Sequence, residues 1–290
     1  MTLEIYSEFL KSINKKVITN DNCIWVQLSS RQFYQCFPVH IPVRPDKEQL
    51  SGVFRNGPAL GVKYTTDDPT IGGMMSFVYT CTKSDYDIQK LSSNNRSKVR
   101  RGIKQCRIEQ ITNVDYLTEA GWQLNKETME RQGRGLKAKY LEWQQVANCV
   151  GKFDGLEVWG AWVDDDLASF VLLFIVDNCA NLLTFRSSNQ YLRFYPNNAL
   201  IYTVITRLFE RDNVDIVSFG EESINYLEGL DNFKTGIGFN KEPVYQKIQL
   251  NPLIAWLHNG MSSKLIQVMA ARYPQKSFWQ KVERFDKFLH

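Results

Sequence analysis

The stretch LEVWGAWVDDDLASFVLLFIVDNCANLLTFRSS, residues 156–188, decides the fold class of this chain. It contains three runs rich in aromatic and branched apolar residues, separated by turns at residues 164–166 and at Asp177-Asn178. Loops of two or three Asp and Asn residues have the length and composition that hairpins favour. The stretch therefore predicts an antiparallel meander of three strands.

A helix and a strand, then a second helix and strand, are predicted to follow this meander. Pro196-Asn197-Asn198 suits a helix start, because proline is tolerated in the first turn and asparagine can cap it. Asn213 is predicted to end this helix, and a strand at residues 214–219, a helical piece at 227–235 and a strand at 244–250 complete the order. One helix face is predicted to lie on a sheet, because apolar residues recur at helical spacing: Leu200, Ile201, Val204, Ile205, Leu208 and Phe209.

The first part of the chain predicts mixed α and β structure. Residues 3–13 have the pattern of a short amphipathic helix, and strand candidates lie at residues 23–28, 59–64 and 74–80. Gly72-Gly73 marks a turn ahead of the last of these. Helices are predicted at residues 91–106 and 115–129, before a glycine-rich stretch at 131–136.

Composition limits the possible classes of protein. The 290 residues are enough for two modest domains, and the net charge of +4 is too small to argue for binding to duplex nucleic acid. No apolar run approaches the roughly 18 residues of a membrane span, and the N-terminus lacks the pattern of a secretory signal, so we expect a cytoplasmic protein. Six cysteines without a C-x-x-C pair and three histidines do not predict a metal site. The cysteines are expected to be small buried side chains.

Three short sequence motifs support the same interpretation as the order of helices and strands. They are Arg96-x-x-x-Arg100-Arg101-x-x-Lys104, TFRSSNQYLRFYPNNALIY at residues 184–202, and GL-x-x-FK-x-x-x-GF at residues 229–239. Together they resemble the C-terminal half of the GNAT superfamily, in the branch of FemAB-like peptidoglycan aminoacyltransferases and related BioF2-like acetyltransferases. The resemblance covers residues 94–250 and implies an α/β fold with a mixed, mostly antiparallel sheet flanked by helices.

The resemblance also implies two tandem GNAT-like domains. We expect a degenerate N-terminal domain at residues 1–110, a catalytic domain at 111–250 and a helical tail at 251–290. One departure concerns the usual pyrophosphate loop, Q/R-x-x-G-x-G/A, because residues 192–198 read LRFYPNN and contain no glycine. This loop argues against ordinary cradling of coenzyme A and fits the FemAB-like branch, which also diverges here.

The implied activity is N-acyl transfer from an acyl-CoA, such as acetyl-CoA, to the amine of a small metabolite, amino sugar or amino acid. An alternative is FemAB-like transfer from aminoacyl-tRNA to a cell-wall precursor or peptide. A second alternative is a non-catalytic binding module, since a fold does not fix a function. A nucleotide-linked amine is a further candidate acceptor, and the sequence predicts no particular oligomeric state.

The resemblance places the donor on the strand at residues 182–186, whose backbone, splayed at a bulge, binds the pantetheine arm in GNAT proteins. Unpaired amides and the positive dipole at the following helix N-terminus suit pyrophosphate. The same stretch also fits an ordinary strand end with a surface arginine, followed by a simple helix cap. The candidate donor-binding residues are Thr184, Phe185, Arg186, Arg193, Asn197, Asn198 and Phe233.

Three residues are candidates for catalysis. The resemblance implies that Lys234 lies near the acyl carrier, where it stabilises negative charge on the carbonyl oxygen. A solvated helix lysine is the alternative. Glu221 and Glu222 follow a strand end and are candidates for accepting the amine proton, or are acids that favour the next helix.

Basic residues supply candidates for binding an anionic substrate. On a helix, Arg96, Arg100, Lys104 and Arg107 share a face beside an apolar stripe of Val99, Ile103 and Cys106, so they form a ridge that suits phosphates or is simply solvated. Arg134 belongs to a glycine-rich loop that covers an acceptor or only joins two helices. The aromatic and basic tail is expected to dock on protein, with contact to a membrane surface as the alternative.

Overall fold

A computed structural model of the chain describes residues 2–20, 23–28, 33–56, 59–133, 140–222 and 228–257. The chain divides into two compact units, each built from segments that are separate in the sequence. Unit 1 combines Met1–Asn14, Tyr79–Gly220 and Gly229–Asn240, and unit 2 combines Lys15–Val78, Glu221–Glu228 and Lys241–His290.

Unit 1 contains the predicted meander. Its strands β7 (Leu156–Val163), β8 (Asp166–Val176) and β9 (Cys179–Ser187) pair antiparallel, and β10 (Ile216–Glu221) runs parallel to β9. With β5 (Met74–Thr82) and β6 (Arg107–Gln110) the order is β5-β10-β9-β8-β7-β6. The helices of this unit are α1 (Leu3–Ser12), α3 (Ser93–Gln105), α4 (Val114–Arg131), α5 (Tyr140–Ala147), α6 (Pro196–Phe209) and α7 (Glu228–Gly236).

Helix α6 holds the core of unit 1 together. The apolar face predicted from its spacing is buried in full, from Leu200 to Phe209, and it packs on β7, β8 and β9. Burying one such side chain stabilises a fold by about 1.5–3 kcal/mol, so this face fixes α6 and the turn that leads into it. The helix ends at Phe209 and not at Asn213, because residues 211–213 already form a turn before β10.

Unit 2 repeats the same plan on a smaller scale. Strands β1 (Val17–Asn20), β2 (Cys23–Gln27) and β3 (Phe33–Phe37) form an antiparallel meander, followed by α2 (Lys47–Asn56) and then β4 (Gly61–Thr66), which is parallel to β3. Strand β11 (Asn240–Leu250) pairs antiparallel with β4, and α8 (Pro252–Leu257) follows it. The predicted fold class, a mixed and mostly antiparallel sheet flanked by helices, is confirmed.

The compact units are discontinuous, whereas the predicted domain ranges 1–110, 111–250 and 251–290 are contiguous. The difference arises because α1 is counted with unit 1, because the division falls within β5, between Val78 and Tyr79, and because most of β11 is counted with unit 2. Residues 258–290 of the predicted tail lie outside the described residues. In the part of the chain that the structure covers, no helix has both the length and the apolar character needed to cross a membrane.

Candidate functional site

Strands β9 and β10 pair over a short distance and then separate. Their parallel register ends at Ser218↔Asn181, although β9 continues to Ser187 and β10 to Glu221. On its other side β9 stays paired with β8 and bulges at Leu183. Residues 183–187 therefore carry backbone groups toward β10 that pair with no strand among the described residues, which leaves an opening for an extended ligand.

Three phenylalanines from three elements meet at this opening. Phe233 of α7 stacks on Phe185 of β9, with 5.7 Å between the ring centroids, and lies edge-on to Phe219 of β10 at 6.4 Å. Phe219 also contacts Phe185 at 6.0 Å. Such aromatic pairs contribute about 0.5–1.5 kcal/mol each beyond the burial of area. The predicted residues Phe185 and Phe233 are thus brought together, and α7 is anchored beside the opening.

Lys234 is buried although it is a charged residue on a helix. Only 3% of the residue is exposed, and its Nζ lies 4.1 Å from the centroid of the Tyr79 ring and 5.2 Å from that of Phe219. Aromatic faces attract an ammonium group. Asp231, one turn earlier on α7, is buried as well. The alternative of a solvated helix lysine does not describe Lys234.

Arg186 is held toward helix α4. Its Nε donates to Asn125 Oδ1 at 2.5 Å, and its Nη1 donates to the Phe185 carbonyl at 2.8 Å. Thr184, Phe185 and Arg186 are all half-buried, at the point where β9 is no longer paired with β10. The arginine is therefore more constrained than a surface residue at an ordinary strand end.

Helix α4 also fixes the turn after β9, through Asn125 and Thr128, which the sequence analysis missed, and through Arg131, which it assigned to the glycine-rich stretch and which is the last residue of α4. Arg131 Nη2 donates to Ser187 Oγ at 2.8 Å, and Thr128 Oγ1 donates to the Ser187 carbonyl at 3.1 Å. Burial lowers the pKa of Arg131, which nevertheless carries its charge at neutral pH. Together with Asn125, these residues form a polar stripe at helical spacing on α4, and that stripe was a usable signal in the sequence.

The turn before α6 differs in detail from the prediction. Pro196 occupies the first helical turn as expected, but the N-cap is Tyr195, in the left-handed region with φ of 57°, and it makes no side-chain cap. Asn197 and Asn198 lie inside the helix, so the prediction that they cap it is wrong. Their amides precede the first helical bond, which Ala199 N makes to the Tyr195 carbonyl at 3.1 Å. The exposed Arg193 lies over the Phe194 ring at 4.7 Å.

The basic residues of α3 divide into two kinds. The Arg96 guanidinium donates to the carbonyls of Gln89 and Leu91 at 2.9 and 2.7 Å, so it stabilises the preceding turn. Arg100 and Lys104 are exposed and, with their neighbours on the helix, line a groove of about 240 Å³. Ile103 is 45% exposed, so the predicted apolar stripe is limited to Val99 and Cys106.

Glu221 and Glu222 are engaged in a polar network of unit 2. The Glu221 carboxylate accepts from Lys63 Nζ and, at 2.8 Å, from Gln35 Nε2. Glu222 Oε2 accepts from Ser76 Oγ at 3.2 Å, and its Oε1 lies 3.5 Å from Lys241 Nζ. Both carboxylates are thus tied to neighbouring donors within unit 2.

Two further points concern the candidate residue Arg134 and metal ligands. Arg134 lies outside the described residues. Within the described ranges, no group of three or more His, Cys, Asp and Glu side chains has an arrangement that could hold a metal ion.

Comparison with known proteins gives matches for the structure of this chain but not for its sequence. The sequence matches no protein-family model and no curated protein. FemX has 14% identity and a TM-score of 0.57, over 88% of this chain and 93% of FemX. L-PGS from Bacillus licheniformis has 12% identity and a TM-score of 0.56, over 84% of this chain and 90% of that one. A GCN5-related N-acetyltransferase from Kribbella flavida has 7% identity and a TM-score of 0.51, over 87% and 96%.

At these identities the likeness establishes the fold alone. The chain has the GNAT fold. Its structural neighbours include FemX, from the FemAB-like branch that the sequence motifs resemble.

Proposed function

We propose that this protein is an N-acyltransferase that moves an acyl group, such as acetyl, from acyl-CoA to the amine of a small metabolite, amino sugar or amino acid. The observation that carries the proposal is the position of Lys234. Its ammonium group is buried beside the rings of Tyr79 and Phe219, and Phe219 is one of the three phenylalanines at the opening between β9 and β10. A cation in this position suits acyl transfer, because it can stabilise the negative charge that develops on the oxygen of a thioester carbonyl.

The opening supports binding of the donor along β9. Backbone groups of residues 183–186 that lie on the side of β10 would bond the pantetheine arm, because β10 no longer pairs with this part of β9; the Ser187 amide and carbonyl are already bonded to Thr128. The amides of Asn197 and Asn198 and the charge of Arg193 would contact the pyrophosphate. The exposed Arg100 and Lys104 would contact the more distant phosphate.

Lys234 acts on the acyl group in this proposal. When the acceptor amine attacks the thioester carbonyl, negative charge develops on the carbonyl oxygen, and the ammonium of Lys234 stabilises it. The effect is larger than in water, because the surrounding rings exclude solvent. The attacking amine arrives neutral and releases its proton to solvent, so neither Glu221 nor Glu222 is needed as a base.

A second candidate is FemAB-like transfer from aminoacyl-tRNA to a cell-wall precursor or peptide. It uses the same opening and the same lysine on an ester carbonyl. The turn before α6 favours it, because residues 192–198 contain no glycine and the bulky Tyr195 occupies the N-cap. The basic groove of α3, where Arg100 and Lys104 are exposed, suits the backbone of an RNA equally well.

The two donors can be separated with purified protein. It is mixed in turn with acetyl-CoA plus a panel of amines and with charged tRNA, and thermal unfolding and loss of the acyl group are followed. A ligand at 100 times its Kd stabilises the fold by about 2.7 kcal/mol. Stabilisation and thiol release with acetyl-CoA support the first proposal, and a response to charged tRNA alone supports the second. If neither ligand acts, the chain is a binding module.

We also propose that the reaction takes place in the cytoplasm. All six cysteines are buried free thiols, which suits a reducing compartment.

A further inference from the structure

The last residue of β9, Ser187, is bonded to helix α4 through both of its backbone groups. Thr128 Oγ1 accepts from Ser187 N at 3.0 Å and donates to the Ser187 carbonyl at 3.1 Å. Both residues are buried, each with 2% exposed. A hydroxyl can donate and accept at once, so one side chain of α4 satisfies both backbone groups of this strand residue.

These two bonds lie on the edge of β9 that faces away from β8. Ser188 N donates to the Ala168 carbonyl of β8 at 2.9 Å, and successive residues of an antiparallel strand direct their backbone groups to alternate edges. Ser187 and Phe185 therefore direct their amides and carbonyls to the edge where β10 has ended its pairing. Thr128 closes this edge at Ser187, two residues beyond Phe185.

The side chain of Ser187 links the strand to two helices. Arg131 Nη2, from the last turn of α4, donates to Ser187 Oγ at 2.8 Å. Asn197 Nδ2, from the first turn of α6, donates to the same oxygen at 3.3 Å. One serine thus joins the two parts of the site to which the donor is assigned, the open edge of β9 and the start of α6.

The turn that follows β9 is bonded to the same helix. Glu127 Oε2 accepts from Ser188 Oγ at 3.0 Å and from Asn189 N at 2.9 Å. Residues 187–189 are therefore all bonded to α4, and they can shift relative to this helix only if these bonds break.

We propose that Thr128 and Arg131 are positioning residues for donor binding, and that both act through Ser187. They hold the end of β9 so that the edge at Phe185 meets the pantetheine arm while the first turn of α6 meets the pyrophosphate. Groups that are fixed before binding need not be ordered by the ligand, so binding costs less. This inference rests on the proposed function, and it gives neither residue a contact with the reacting atoms.

The test replaces Thr128 by valine, which keeps the shape of the side chain and removes the hydroxyl. Rates are measured with acetyl-CoA, or with charged tRNA if the wild-type protein uses only that donor. We expect Thr128→Val to raise the donor KM about fivefold, the effect of losing about one hydrogen bond, with kcat within about twofold of wild type because Lys234 is not disturbed.

Thr128→Ser restores a hydroxyl at the same position, and we expect it to return the donor KM to near the wild-type value. A loss confined to kcat in Thr128→Val would overturn the proposal. So would a serine variant that binds the donor as weakly as the valine variant.

Thr118→Val is the matched control on the same helix. Thr118 is 7% exposed, and its Oγ1 donates to the Val114 carbonyl of α4 at 2.8 Å. The substitution removes a buried hydroxyl that makes no bond to β9, so the donor KM is expected to stay at the wild-type value. Equal rises of KM in the two valine variants would mean that Thr128 acts only through the stability of α4, against the proposal.

Thermal unfolding shows whether each variant is folded. Should Thr128→Val fail to fold, Ser187→Ala decides, because it removes the bonds to Arg131 and Asn197 and keeps the backbone bonds to Thr128. An unchanged donor KM in folded Ser187→Ala would then refute the positioning role.

The same measurements separate this inference from the proposed function. If the wild-type protein uses one of the two donors and the folded variants keep its KM, only the inference fails. If the wild-type protein neither binds nor uses acetyl-CoA or charged tRNA, the proposed function fails and the inference fails with it.

Discussion

The Nζ atom of Lys234 lies 4.1 Å above the ring of Tyr79. Tyr79 belongs to β5, which precedes the meander, and Lys234 belongs to α7, which follows it. The lysine is therefore in place only when elements from both ends of unit 1 have come together. This contact distinguishes a preorganised charge from a flexible surface lysine.

Lys234→Met is expected to lower turnover about tenfold or more, equivalent to about 1.4 kcal/mol of barrier. Methionine keeps much of the side-chain volume but removes the charge that stabilises the carbonyl oxygen. Turnover is measured with saturating donor, and circular dichroism checks the fold. The control Lys152→Ala changes an exposed lysine and is expected to leave the rate unchanged. A folded Lys234→Met protein with the wild-type rate would remove Lys234 from the mechanism.

Gly102→Ala is expected to destabilise the protein, although alanine favours a helix by about 1 kcal/mol over glycine. A Cβ at this position would lie 2.6 Å from the Tyr195 carbonyl oxygen and 2.9 Å from Ala199 Cβ, so α3 and the start of α6 would have to move apart.

The matched control is Gly52→Ala in the middle of α2, where a Cβ would have nothing within 4 Å. That variant should gain up to about 1 kcal/mol in urea unfolding. Equal shifts in the two variants would mean that α3 does not pack on the α6 turn as described.

These glycines illustrate what the sequence could and could not predict. The meander, the apolar face of α6 and the order of elements follow from periodicity, which is local, and their positions were predicted within a few residues. The sequence analysis treated Gly102 only as a residue that weakens a helix. Glycine is needed at this position because α3 packs closely on Tyr195, which is far away in the chain. Helix α2 was missed because Leu50 and Val53 are its only fully buried side chains.

Lys63→Met is expected to destabilise unit 2 by about 3 kcal/mol, because it leaves the Glu221 carboxylate buried without its cation. The two side chains are 7% and 16% exposed. Urea unfolding of Lys63→Met, Glu221→Gln and the double variant measures the coupling. We expect the double variant to be more stable than Lys63→Met, and strictly additive losses would show that the pair is not coupled.

Replacing Arg100 and Lys104 together by alanine is expected to raise the KM for the donor about fivefold at low salt, with kcat unchanged. Loss of charge contacts to phosphate weakens donor binding without touching the acyl group, and added salt should shrink the difference. Arg55→Ala on α2 is a control with an exposed arginine. A KM that is unchanged at low salt would assign these residues to a solvated helix face.

The candidate site was predicted only in part. The motif at residues 229–239 identified Phe233 and Lys234 as candidates. The fold brings Phe233 beside Phe185, and Lys234 beside Phe219. Asn125 and Thr128 were missed, and Arg131 was assigned to a glycine-rich loop, because their role depends on hydrogen bonds to the end of β9. The carboxylates of Glu221 and Glu222 were overvalued, since spacing along the chain does not reveal that Lys63 and Lys241 lie beside them.

The central claim is that the donor lies along β9 where this strand leaves β10. Amide hydrogen exchange with and without saturating acetyl-CoA tests it directly. The account predicts slower exchange in residues 183–187 and in the first turn of α6, with little change in β3 and β4 of unit 2. Protection confined to unit 2, or binding with no protection along β9, would contradict it.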